Sequence, residues 1–228
     1  MNIAVFYHCL FVRGDPPEMM PHALGVVDSQ MDIMARSGLL EACDEFHVGI
    51  NGGEESQVYA ESLLPIEKAN LVYHGRQCMN ELRTLVHLQQ IMTGRKKWKI
   101  LYFHSKGATH EANDEMSHRW RNCMMKHLVE NWKIASGSLE GGADSSGCHW
   151  QNALVSGISN IWAGNFWWIT SEFLATLPKI EMNSRLPIMG GIDALASRYE
   201  AEVWIGSGRK MPKVRDFHRG SPFECPKI

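Results

Sequence analysis

The stretch that most limits what this chain can fold into is Lys99-Ile100-Leu101-Tyr102-Phe103-His104-Ser105-Lys106-Gly107. A short apolar run that follows a basic loop and stops at a glycine reads as a strand buried on both faces, as in parallel sheets. In open sheets of that kind ligands bind just beyond the carboxyl ends of the strands. Here that end carries an imidazole, a hydroxyl and an ammonium, so the expected ligand is an anion.

The same arrangement recurs earlier in the chain. Ile3–Tyr7, Glu45–Ile50 and Asn70–His74 read as short strands rich in β-branched and aromatic residues. Ala23–Ser37 and Met79–Met92 carry apolar residues at helical spacing. This alternation predicts an α/β fold with a mostly parallel central sheet and helices on both faces. Beyond Gly107 the reading is one long amphipathic helix over Glu115–Ile134, a Gly/Ser-rich loop over Ser136–Asn152 and a strand over Asn165–Thr170. Helices follow at Ser171–Leu177 and Asp193–Glu200, and Val203–Gly206 closes the core. Lys210–Ile228, with three prolines, reads as a tail on the surface. With no repeat, low-complexity tract or linker, the 228 residues are expected to form a single domain. Residues 1–107 would be its first half, 108–209 its second half, and 210–228 the tail.

Composition closes off several alternatives. A net charge of −2 argues against coating nucleic acid with a basic surface. No apolar segment approaches the roughly 20 residues of a membrane span. The amino-terminal stretch lacks the charged leader and long apolar run of a secretory signal. Six cysteines show no paired spacing, so free thiols in a reducing cytoplasm are expected and no metal-ligating set is read from spacing. Neither GxxxxGK(S/T) nor GxGxxG follows the first strand, which disfavours P-loop and dinucleotide-binding readings.

Several residues carry chemistry. His8 and Cys9 lie just past the first strand, and Glu81 and Thr84 open the helix before the fourth, facing the same pocket, capping the helix or packing in the core. Lys106 supplies a point charge and Gly107 a flexible backbone, while Lys106 and His104 also have bland readings as a solvated lysine and a satisfied strand-end histidine. Gly164 permits close approach of the backbone to a ligand, Asn165 offers both donors and acceptors, and Trp167 and Trp168 offer aromatic faces. Neighbouring strand residues point to opposite faces, so one tryptophan is expected in the core and the other near the site. Asp193, Glu200 and Glu202 are carboxylates able to act as a base, although Asp193 would equally cap a helix. Arg119 and Arg121 would meet phosphate or decorate a helix.

In this order of elements, the chain resembles the GT-A glycosyltransferases, with a Rossmann-like nucleotide-sugar fold. The patches Tyr102-Phe103-His104-Ser105-Lys106-Gly107-Ala108, Arg119-Trp120-Arg121, Gly164-Asn165-Phe166-Trp167-Trp168 and Glu202-Val203-Trp204-Ile205-Gly206 are similar to those of a group of bacterial and phage glycosyltransferases. The resemblance covers roughly Tyr73 to Gly206. It implies transfer of a sugar from a nucleotide-sugar donor, a UDP-sugar, to an acceptor hydroxyl, with residues 1–107 as the nucleotide-binding half and 108–209 as the acceptor and catalytic half. His8, Cys9, His104, Ser105, Lys106 and Gly107 would bind the donor. Gly164, Asn165, Trp167 and Trp168 would line the acceptor, and Glu202 or Asp193 would serve as base. His218 lies where some members place a C-terminal metal or diphosphate ligand. The family's Asp-x-Asp motif, which holds a divalent metal on the diphosphate, is replaced by His104-Ser105-Lys106. The expectation is that Lys106 takes over the metal's role as a point charge. Acceptors in view are a glycan, a small molecule or modified nucleic acid, including a hydroxymethylated base of phage DNA reached in flipped form. The rival reading is a non-catalytic carbohydrate- or nucleotide-binding module.

Overall fold

The computed structural model describes residues 1–10, 20–52, 54–74, 81–108, 114–152, 160–180 and 201–219. Its first half follows the predicted alternation: β1 (Asn2–Leu10), α1 (Met20–Arg36), α2 (Leu39–Ala42), β2 (Glu45–Asn51), α3 (Glu54–Leu63), β3 (Ala69–Tyr73), α4 (Leu82–Met92) and β4 (Trp98–His104). The second half holds α5 (Glu115–Met125), α6 (Trp132–Glu140), β5 (Ser145–Gly147), β6 (Trp150–Gln151), β7 (Ile161–Trp162), β8 (Trp167–Thr170), α7 (Ser171–Leu174) and β9 (Val214–Asp216). Among these residues, seven strands form one sheet in the order β3-β2-β1-β4-β8-β5-β9, and β6 pairs with β7 separately. Within the seven-stranded sheet only β8 runs against its neighbours, while β6 and β7 pair antiparallel. The mixed α/β fold with a mostly parallel sheet is therefore as expected.

Strands β1 and β4 lie at the centre, in register from Asn2 opposite Trp98 to His8 opposite His104. Side-chain alternation divides their residues between two cores. Ile3, Val5, Tyr7, Cys9, Leu101 and Phe103 pack against Val27, Met31 and Met34 of α1 and Met124, Trp132 and Leu139 of α5 and α6. Ala4, Phe6, Ile100 and Tyr102 pack on the other face with Leu82, Leu85 and Leu88 of α4 and Phe173 and Leu174 of α7. Covering both faces is what makes these strands read as unbroken apolar runs. Each fully buried leucine on α4 contributes about 1.5–3 kcal/mol relative to exposure.

The single helix expected over Glu115–Ile134 is interrupted. Asp114 caps its start, accepting from the Ser117 amide at 3.2 Å. A wide π-type turn over Lys126–Glu130 then separates α5 from α6. The Asn131 amide and Nδ2 both donate to the Lys126 carbonyl (3.0 and 2.9 Å), closing that turn. The helix that follows runs through the Ser/Gly stretch expected to be loop, with Ser138 Oγ bonded back to the Ala135 carbonyl.

Two further expectations change. Ser145–Gly147 is a buried strand of the sheet, where a loop was expected. Gly147 is needed there, because a Cβ on it would lie 2.7 Å from the Trp162 ring. The expected surface tail instead supplies β9, parallel to β5. A three-residue strand bounded by polar residues leaves too little periodicity to find. Val203–Gly206 closes a core as expected, but as a 3₁₀ turn over Trp204–Gly206. The Asp193–Glu200 helix lies outside the described residues. No described helix is long and apolar enough to cross a membrane, and Cys9, Cys43, Cys123 and Cys148 are free thiols.

Candidate functional site

The connections place β2 and β3 on one side of β1 and β4 on the other. The β1/β4 boundary is thus the topological switch point, where a crevice forms beyond the strand ends. His8 and His104, opposite one another in register, sit at that end on the α4 side of the sheet.

Backbone and side chains lace this edge together. The Ser105 amide donates to the His8 carbonyl (2.9 Å), and Ser105 Oγ accepts from the Leu10 amide (2.9 Å). Gln30 Nε2 donates to the His104 carbonyl at 3.0 Å, while Gln30 Oε1 accepts from Tyr7 Oη at 2.8 Å. His104 Nε2 donates to the Gly164 carbonyl at 2.9 Å, which fixes its tautomer and joins β4 to the Gly164 turn. His8 Nδ1 lies 2.8 Å and His74 Nε2 3.1 Å from Thr84 Oγ1, so one hydroxyl bridges two imidazoles. Gly49 makes room for it, since a Cβ there would lie 2.0 Å from that hydroxyl. Burial, with His104 and His74 adding to it, holds His8 well below the usual histidine range. His74 is lowered to about 4, again chiefly by burial.

Beyond His104 the chain turns through Lys106 and Gly107. Gly107 has φ +85°, a left-handed conformation that suits glycine. Arg121 of α5, 6% exposed, supports the turn by donating to the Lys106 carbonyl at 2.8 Å. Its other terminal nitrogen donates to His118 Nδ1 at 2.8 Å. His22 Nε2 donates to the Gly107 carbonyl at 3.0 Å. Lys106 Nζ rests 3.8 Å from the centre of the Trp120 ring. Basic side chains from α1, α5 and the turn itself therefore surround the backbone of Gly107.

A second network lies directly behind. Glu81 Oε2 accepts from Tyr102 Oη (2.6 Å) and Asn165 Nδ2 (2.7 Å), and Asn165 Oδ1 accepts from Trp167 Nε1 (2.7 Å). Burial and the Glu81 carboxylate hold the Tyr102 phenol well above its ordinary range, keeping it a donor.

Several expected site residues take other roles. Cys9 points into the core opposite His8, and burial pushes its thiol far up. Ser105, 5% exposed, fastens β4 to β1. Both polar ends of Asn165 are committed to Glu81 and Trp167. Trp167 and Trp168 do point to opposite faces, but each is fully buried, so neither ring offers a face to an acceptor. Gly164 (φ +88°) is packed against Met124 and Trp120, where a Cβ would lie 2.8 and 2.9 Å away. Glu202 is half-buried, beside Ala201 and Trp204 in the Tyr102 core. Asp193 is outside the described residues. The residues that remain at the strand ends are His8, His104, Lys106 and Gly107. Sequence reasoning gave Arg121 an undecided role and missed His22, His118 and Gln30. The Trp120-Arg121 pair was the available signal for the first.

The divalent metal that the resemblance brings with it does not fit the β4 tip. No Asp-x-Asp pair is present, and the carboxylate that reaches His104, Glu81 (Oε1 to Nε2 3.8 Å), is bonded to Tyr102 and Asn165. Among the described residues, no group of three imidazole, thiol or carboxylate side chains converges there.

No family model and no curated protein sequence matches the chain. Solved structures do. 4-Diphosphocytidyl-2C-methyl-D-erythritol synthase from Anaerococcus prevotii superposes with a TM-score of 0.50 at 9% identity, over 100% of this chain and 92% of that one. A protein of Desulfovibrio desulfuricans G20, described as a candidate nucleotide-diphospho-sugar transferase, gives 0.48 at 11% identity over 96% and 81%. Glucosyl-3-phosphoglycerate synthase of Mycobacterium tuberculosis, solved with Mn²⁺, UDP and phosphoglyceric acid, gives 0.42 at 12% over 78% and 58%. At such identities the likeness is one of fold alone.

Proposed function

We propose that this chain is a glycosyltransferase that moves a sugar from a nucleotide-sugar donor, a UDP-sugar, to an acceptor hydroxyl. The observation that carries the reading is the β4 tip at the switch point. There Lys106 and the Gly107 backbone stand beside His8 and His104, with the buried Arg121 behind them. The acceptor oxygen attacks the anomeric carbon while the bond from that carbon to the diphosphate oxygen breaks. The electron pair leaves with the diphosphate, whose charge the Lys106 ammonium stabilises after swinging from the Trp120 face. The acceptor's proton passes to a carboxylate, Glu202 or Asp193. His8 and His104 orient the donor by hydrogen bonding. A glycan, a small molecule or a modified nucleic acid would supply the hydroxyl.

A panel of nucleotide sugars with and without chelator, followed by donor hydrolysis and thermal shift, tests this reading. Turnover is expected to survive the chelator, and Lys106→Ala should lower kcat by about 10²–10³-fold, as for loss of one preorganised charge. Failure of every nucleoside diphosphate to bind would overturn it, and turnover that needs added metal would overturn the role of Lys106. The superposition on a cytidylyl-transferring synthase favours a second reading, nucleotidyl transfer. Release of pyrophosphate from a nucleoside triphosphate, in place of a nucleoside diphosphate from a nucleotide sugar, would identify it.

A further inference from the structure

Away from the β4 tip, three side chains from distant parts of the sequence converge. Cys123 lies on α5, His149 in the turn between β5 and β6, and His218 just past β9; their ligand atoms all lie within 4.8 Å of one another. Cys123 is 2% and His149 1% exposed. The His218 Nε2 atom is sealed from solvent and has no hydrogen-bond partner among the described residues. A buried imidazole nitrogen left without a partner is unfavourable unless something binds it.

The backbone around the cluster is arranged to hold it. His149 adopts φ +62°, a conformation uncommon for a residue with a side chain. Asp216 accepts from the His149 amide (3.0 Å), the Trp150 amide (2.9 Å) and the His218 amide (3.1 Å), so one carboxylate fixes both histidine-bearing turns. The His149 amide also donates to the His218 carbonyl at 3.0 Å. The two rings meet edge to face at 4.9 Å, and His127, on the π-type turn, stacks 6.2 Å from His218. Asp216 also lines an open cleft of about 350 Å³ with Trp150, Asn152, Val214 and Arg219, which gives solvent access nearby.

We propose that Cys123, His149 and His218 form a zinc site that ties α5, the β5–β6 turn and the segment after β9 together. One thiolate and two imidazoles are ligands that favour zinc over the oxygen-seeking magnesium, manganese or calcium ions. Zinc bonds of about 2.0–2.3 Å set tetrahedral ligand atoms about 3.4–3.6 Å apart, inside the 4.8 Å within which the three ligand atoms lie. On binding, the Cys123 thiol gives its proton to solvent as the sulfur–zinc bond forms. Each neutral imidazole donates a lone pair, and water takes the fourth position. The Trp120 ring lies near both His149 and Lys106, so the zinc site would neighbour the β4 tip.

The test is metal analysis of the purified full chain, with a Co²⁺ titration of the metal-stripped protein. One equivalent of zinc per chain and a saturable thiolate-to-cobalt absorption band are expected. Cys123→Ser should abolish the band, Cys43→Ser should leave it, and His218→Ala should weaken cobalt binding at least tenfold. Asp216→Asn should weaken it about 10–100-fold while the thiolate band persists at saturation. Circular dichroism of each variant separates loss of ligation from loss of fold, and the half-buried His218 remains informative if Cys123→Ser fails to fold. Absence of a 1:1 thiolate–cobalt band in the wild-type chain, its survival in Cys123→Ser, or unchanged affinity in His218→Ala would overturn the assignment. None of these readouts requires nucleotide, so failure of the glycosyltransferase reading would leave them unchanged.

Discussion

Replacing Glu81 tests whether the network behind the β4 tip holds the fold together. Its carboxylate accepts from Tyr102 Oη at 2.6 Å and Asn165 Nδ2 at 2.7 Å, and both partners are almost completely buried. Glu81→Ala removes two charge-assisted bonds and leaves a buried phenol and a buried amide without their acceptor. At about 1–3 kcal/mol for each orphaned donor, the loss is about 3–5 kcal/mol. That is a large share of the roughly 5–15 kcal/mol by which a domain is stable, and corresponds to a fall in Tm of roughly 6–20 °C at this chain length. Glu81→Gln keeps one acceptor oxygen in place and should cost only about 1–2 kcal/mol. Urea unfolding of the wild type, Glu81→Ala, Tyr102→Phe and the double variant completes a cycle. Because Tyr102→Phe removes one of the donors that Glu81→Ala orphans, the double variant should be at least ~1 kcal/mol more stable than additivity predicts. A Glu81→Ala protein within 1 kcal/mol of wild type, or an additive cycle, would refute the reasoning.

Other perturbations bear on different parts of the structure. His8, His74 and His87 have lowered pKa values in the folded chain, from burial first and neighbouring histidine or arginine charges second, with His74 near 4. Below about 6.5 the unfolded chain binds protons that these groups refuse. The urea midpoint should therefore fall as pH drops from 7 toward 4, and a flat midpoint from pH 7 to 5 would contradict this. Gly206→Ala would set a Cβ 1.9 Å from the Asn160 carbonyl oxygen; the forced backbone shift should cost about 1–3 kcal/mol, and an unchanged Tm would show that the turn relaxes freely. Arg121→Met leaves the Lys106 carbonyl without its 2.8 Å donor. It should lower stability by about 2 kcal/mol and reduce the thermal shift produced by a nucleoside diphosphate, and an undiminished shift would separate Arg121 from the anion site.

The parts of this protein legible in its sequence are those fixed by local pattern. The apolar runs Ile3–Tyr7 and Ile100–Phe103 had to be buried on both faces, and the helical spacing of Leu82, Leu85 and Leu88 supplied one covering layer. From these the parallel half of the sheet and the position of His104-Ser105-Lys106-Gly107 at a strand end followed. Pattern could not reveal β5, where Gly147 is required by the Trp162 ring lying against it. Nor could it reveal β9, where Val214–Asp216 gains strand structure only by pairing with β5. The uses of side chains at the site were decided at still longer range. Asn165 looked free to bind a sugar until Glu81 and Trp167, from two other segments, took both ends of its amide. Cys123, His149 and His218 show no ligand spacing because separate elements bring them together, and Asp216 holds two of them in place. The sequence alone determined that the β1 and β4 runs are buried and which chemistry stands at the β4 end, because periodicity and residue type act locally. Only the tertiary structure decided which polar groups are already satisfied, because hydrogen bonds and metal ligands are matched by distance in space.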